Sequence, residues 1–98
     1  MTLLNKLTHK FPHIPPGVLR LLILKARKHS AADFDVYSTV TPIAIKLNAL
    51  HEVKELLLTK LQFEAIMKSE HEHVLLEKMK TLINEEIKLI TDDFINSL

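Results

Sequence analysis

The sequence has no cysteine, no tryptophan and a single glycine among its 98 residues. Without cysteine there is no disulfide framework, no Fe–S ligation, no thiolate zinc site and no cysteine nucleophile. The lone Gly17 removes the glycine-rich phosphate loops, because neither GxGxxG nor GxxxxGK followed by Ser or Thr can be written. Enzymes built on those loops are excluded. No apolar run approaches the ~20 residues that a membrane span needs. The longest, Val18 to Leu24, is interrupted by Arg20. Residues 1–7 lack the basic n-region, the longer apolar region and the small-residue cleavage site of a signal peptide, so the expected location is the cytoplasm.

What is present describes a globular chain. Hydrophobic residues make up 47% and charged residues 26%, a balance that supports a core rather than disorder. At this length we expect one domain, 1–98, with a Pro-rich break at 12–16.

The patterning is helical throughout. Thr2 is placed to cap a short first helix carrying Leu3, Leu4 and Leu7, which must stop by Phe11 because Pro12 disfavours helix before it. Residues 11–16 read as an extended linker. Pro16 then suits the first position of a helix running to about His29, apolar around nearly its whole circumference and therefore expected to be central. Residues 33–37 are ambiguous between helix and loop. The clearest start is Thr41 as N-cap with Pro42 at the first helical position, followed by Ile43, Leu47, Leu50, Val53, Leu57 and Leu61 at steps of three and four. This helix is expected to reach about Met67. A last helix is expected from Ser69, whose hydroxyl and Glu72 would form a capping box. Its stripe is Leu76, Met79, Ile83, Ile87, Ile90 and Phe94. The fold class is all-α, an antiparallel helical bundle of about four helices, with Leu47, Leu50, Leu57, Leu76, Met79 and Ile83 as predicted core.

Groups able to do chemistry are few. His71 and His73 fall on nearly opposite faces of a helix and cannot grip one ion there. His9 and His13 are four apart, but Phe11-Pro12 breaks the spacing that would align them. Ser30, Ser38, Ser69 and Ser97 lie in no glycine-flanked elbow. Paired carboxylates such as Glu85-Glu86 and Asp92-Asp93 belong to solvated faces. We expect no enzyme, no cofactor and no metal site.

Charge is segregated. Residues 1–32 hold six basic groups (Lys6, Lys10, Arg20, Lys25, Arg27, Lys28) and no acid, while all twelve acids lie beyond them. Packing of a basic helix beside acidic ones explains this as well as an outside partner does. If a partner exists, an anionic membrane surface is favoured over nucleic acid. The basic helix lacks surface to enter a groove, and it lacks interleaved Asn, Gln or Ser to read base edges.

The segment Val40-Thr41-Pro42-Ile43-Ala44-Ile45-Lys46-Leu47-Asn48-Ala49-Leu50-His51, with Glu55 and Leu56 after it, resembles the middle of a bacteriocin immunity protein. It is most similar to the lactococcin A type and more loosely to the immunity proteins of pediocin-like bacteriocins. The likeness covers about 15 residues well and about 60 loosely. The chain departs from that pattern in a first helix broken by Pro12, Pro15 and Pro16 and in an end, residues 92–98, that is not a plain flexible tail. The resemblance implies a cytoplasmic helical bundle acting at the inner membrane face. It further implies recognition of the membrane component of the mannose phosphotransferase permease once bacteriocin has engaged it, and blockage of the resulting pore. The candidate partner-binding residues are Lys25, Arg27, Lys28, Phe34, Tyr37 and Phe94. The alternative reading is a small nucleic-acid-associated regulatory protein with a basic face.

Overall fold

Thr2 starts the first helix as its sequence predicts. Its backbone is extended, and its Oγ1 accepts from the Asn5 N–H at 3.1 Å, satisfying one of the donors that a helix start leaves open. The computed structural model describes residues 2–67 and 70–98, with side chains for all of these except 64–67. Helix α1 spans Leu3–Lys10 and buries Leu3 and Leu7. It ends at Phe11, whose N–H donates to the Leu7 carbonyl at 2.8 Å. The following residues turn rather than extend, since the Ile14 N–H returns to the Phe11 carbonyl at 3.3 Å. Phe11 and Ile14 are both driven into the core by that turn.

Helix α2, Pro16–Ala26, opens on Pro16 as expected, because a missing N–H costs nothing at the first helical position. It ends three residues earlier than expected, and residues 27–29 form a turn. Nor is it buried all round. Leu19, Leu22, Ile23 and Ala26 face the core, whereas Leu21 and Leu24 are exposed. A helix this apolar is half covered because only one side of it meets α3.

Helix α3, Asp33–Met67, corrects the expected start at Thr41. The chain is already helical at Asp33, and Pro42 lies inside the helix. Thr41 caps nothing: its Oγ1 donates back to the Tyr37 carbonyl at 2.7 Å. A proline in a helix interior costs about 3 kcal/mol. Packing offsets this, because Val36, Val40, Ile43, Ala44 and Leu47 make one buried row that runs straight past Pro42. Burying each large apolar side chain contributes about 1.5–3 kcal/mol, so the four of this row, with Ala44 beside them, outweigh one proline.

Helix α4, Glu70–Ser97, returns antiparallel along α3. The predicted capping box at Ser69 lies outside the described residues. Among the described residues α4 has no buried side chain; Ile87, Ile90 and Phe94 are partly buried against the core. Of the predicted core, Leu47 and Leu57 are buried, while Leu50, Leu76 and Ile83 are half-buried. Met79 is 42% exposed and is not a core residue. The four helices form an all-α antiparallel bundle, as expected.

Its shape is lopsided. At ~1.5 Å per residue a 35-residue helix is about 52 Å long, matching the longest extent of 52 Å. The radius of gyration is 16.0 Å, against about 13 Å for a compact domain of this length. Helices α1 and α2 are too short to cover all of α3. The main buried cluster therefore stops at Leu47, and beyond Glu55, where His13 of the α1–α2 turn still reaches α3, Leu57 and Leu61 are buried on the side packed by α4.

Candidate functional site

The turn at residues 27–29 and the helix start at Asp33 bring the basic end of α2 against the first turn of α3. Arg27 Nη2 donates to Asp33 Oδ1 at 2.8 Å, and Ser30 Oγ donates to Asp35 Oδ2 at 3.0 Å. His29 Nε2–H donates to the Leu98 oxygen, which fixes the last residues of α4 at the same end. Lys25 of α2, Arg27 and Lys28 of the turn after it, Phe34 and Tyr37 of α3, and Phe94 of α4 thus lie toward one end of the bundle.

Their surroundings differ. Phe34 is 78% exposed, although a phenyl ring gains most from burial. It shares a groove with Leu3, Lys6, Asp33 and Tyr37. Tyr37 is partly buried, and its phenol oxygen accepts from Lys10 Nζ at 2.9 Å, with the ammonium 5.4 Å from the ring centre. The Lys10 hydrogen bond holds the Tyr37 phenol below its usual pKa, opposed by partial burial and assisted by smaller effects of Lys10, Thr41 and Lys6. Tyr37 is therefore the anchored wall of this groove, and Phe34 its free ring.

Phe94 faces a second groove with Thr39, Pro42, Ile43, Lys46, Ile90, Asp93 and Ser97. Its ring packs on the core rather than standing free, so it supports the groove more than it presents itself. The resembling segment is split by helical geometry. Val40, Ile43, Ala44 and Leu47 point inward, and Pro42 and Lys46 line this outer groove.

The basic third is only partly neutralised within the chain. Arg27 is paired with Asp33 and Lys10 with the Tyr37 hydroxyl. Lys6, Arg20, Lys25 and Lys28 form no ion pair with a carboxylate among the described residues. Lys28 lowers the pKa of Lys25, through a hydrogen bond that favours the neutral amine and through charge repulsion, with a smaller effect of burial.

Sequence reasoning passed over Leu3 and Lys6 as groove walls, and Pro42 with Lys46 beside Phe94. Once residues 33–40 are taken as helix, Asp33, Phe34 and Tyr37 fall on one face at steps of one and three, which was the available cue. Among the described residues no three His, Asp or Glu side chains converge as a metal site, and no helix is long and apolar enough to cross a membrane. No family model, curated protein or solved structure matches the chain.

Proposed function

We propose that the chain is a bacteriocin immunity protein that acts by binding rather than by catalysis. The observation that carries the reading is the presence toward one end of the bundle of an exposed ring, an anchored phenol and cations with no carboxylate partner among the described residues. These are Phe34 and Tyr37, which share a groove with Lys6, and Lys25 and Lys28 on either side in sequence of Arg27, which is tied to Asp33; the Pro42 segment that resembles the immunity family lines a second groove. Phe34 supplies the apolar anchor that a hot spot needs, and Lys6 in its groove, with Lys25 and Lys28, supplies orientation toward an acidic surface.

On this reading the protein is cytoplasmic and lies at the inner face of the membrane. There it engages the bacteriocin-bound permease of the mannose phosphotransferase system and closes the pore. Charge near anionic headgroups contributes about 1 kcal/mol per basic residue, enough for several lysines to concentrate the chain at that face. The test is expression of the chain in a sensitive strain challenged with a panel of bacteriocins. Survival against one of them supports the reading. Uniform killing by the whole panel, with the protein present and helical, would refute it.

A further inference from the structure

The side of the α3–α4 pair turned away from α1 and α2 carries an apolar surface that none of the described residues covers. On α4 it consists of Leu75, Met79, Leu82 and Leu89, all exposed, with Leu82 at 64%. On α3 it consists of Val53, Leu56 and Phe63, with Leu56 at 65%. At about 100° per residue, each row is rotated more than a right angle, in the same sense, from the row facing the partner helix. Equal offsets in antiparallel helices point to one side of the pair, so the two rows form one face.

The order of residues along this face says what covers it. On α4, Leu75 and Leu89 stand seven residues either side of Leu82, and on one flank of that ridge basic Lys78 stands four residues before Leu82 and acidic Glu85 three after. Turned end for end about Leu82, the row meets itself with leucine on leucine and Lys78 beside Glu85, while Met79 falls beside Glu86. On α3, Val53 and Leu56 likewise exchange places about a centre between residues 54 and 55. The two centres lie at one level. Pro42, Ile43 and Lys46 share a groove with Ile90, Asp93 and Phe94, so opposed positions in the two helices sum to roughly 136, and Leu82 stands level with residue 54. Two rows on different helices with one common centre are what a two-fold axis requires.

We propose that this face binds a second copy of the chain, α4 against antiparallel α4 and α3 against antiparallel α3, around a two-fold axis beside Leu82. A face about 24 Å long and about two helix diameters wide offers roughly 480 Å² per copy, the size of a weak, transient interface. The end bearing Phe34, Lys25 and Lys28 stays free in such a dimer, so the inference does not rest on the proposed function.

The experiment is sedimentation velocity of the full chain from micromolar to millimolar concentration, on the parent and four variants. The parent is expected to form a dimer and no larger species. Leu82→Glu and Leu56→Glu, at positions already exposed, are expected to keep the helical spectrum and weaken dimerisation by about a hundredfold, because each change acts twice across the axis. Lys78→Glu alone is expected to weaken it about tenfold, and Lys78→Glu with Glu85→Lys to restore it. A parent that stays monomeric throughout overturns the proposal. So does a dimer indifferent to Leu82→Glu and Leu56→Glu, or one that the paired exchange fails to restore. A monomer taken up by neutral lipid vesicles through Leu82 and Leu56 would assign the face to a membrane instead and would equally overturn it.

Discussion

His13 Nδ1–H donates to Glu55 Oε2 at 2.8 Å, while the His13 backbone N–H donates to Asn48 Oδ1 at 3.0 Å. These two bonds fasten the proline-rich turn between α1 and α2 to the middle of α3. The ring bond is solvent-exposed, and the backbone bond is partly buried. Asn48→Ala is therefore expected to cost about 1–2 kcal/mol, since it leaves a shielded N–H without its acceptor. Glu55→Gln should cost less than about 1 kcal/mol, as an exposed pair does. Urea denaturation of the two variants checks the order, and a larger loss for Glu55→Gln would show that the ring bond is the real fastening.

The core prediction separates two residues that the periodicity treated alike. Leu47 is fully buried, and Leu47→Ala should cost about 2–5 kcal/mol. Met79 is exposed, and Met79→Ala should change stability by no more than about 0.5 kcal/mol. Thermal and chemical unfolding of both variants gives the comparison directly.

The helix through Thr41 and Pro42 makes a prediction opposite to that of a helix start. Were Thr41 a cap, Thr41→Ala would lose about 1 kcal/mol. With Thr41 in mid-helix, bonding back to Tyr37, the loss should be under about 0.5 kcal/mol. Pro42→Ala should stabilise the fold by about 1–3 kcal/mol, by restoring a backbone donor within α3. Stability lost at Pro42→Ala would contradict a continuous helix.

These corrections show what was legible and why. The Thr2 cap, the stop at Phe11 and the start at Pro16 were readable because each depends on local chemistry that nothing distant overrides. The Asp33 start was not. Asp33-Phe34-Asp35-Val36-Tyr37 has weak helix propensity, and only burial of Val36 and Val40 under α1 and α2 commits it. Pro42 reads locally as a first residue, and tertiary packing made it an interior one. On α4 the periodicity identified Leu76, Ile83, Ile87 and Ile90 as the inner row, but it could not show that α1 and α2 are too short to close over it. The candidate site was legible as residue types, Phe34 and the cations; its assembly at one end depended on the Arg27–Asp33 and His29–Leu98 contacts between distant parts of the chain.

His51 supplies a pH prediction. It is buried, and its Nε2 has no hydrogen-bond partner among the described residues. Burial lowers its pKa, Lys54 lowers it further, and Glu55 partly opposes them. With the folded value below the unfolded one, the unfolded chain binds the proton first as pH falls. The His51 contribution to stability is therefore complete above about pH 6.5 and is lost as pH falls from there through the folded value. His51→Leu should flatten the stability profile below about pH 6.5 relative to the parent. Parallel profiles for the two proteins would show that His51 takes no part in the acid loss.

The basic end predicts salt-sensitive attachment. Changing Lys25, Arg27 and Lys28 together to Gln should release the chain from anionic vesicles with little change in helicity. Binding of the parent should itself weaken with salt, because screening acts over about 8 Å at physiological ionic strength. Loss of duplex DNA binding with a reduced salt slope, and no vesicle binding by the parent, would favour the nucleic-acid reading.

The most direct measurement is protection by the parent and by Phe34→Ala, side by side in one sensitive strain at matched levels of folded protein. Phe34 is exposed, so its removal should leave the circular dichroism spectrum and melting temperature unchanged. The account predicts that the parent protects against a bacteriocin and that Phe34→Ala does not. Equal protection by both proteins, or none by either, would contradict it.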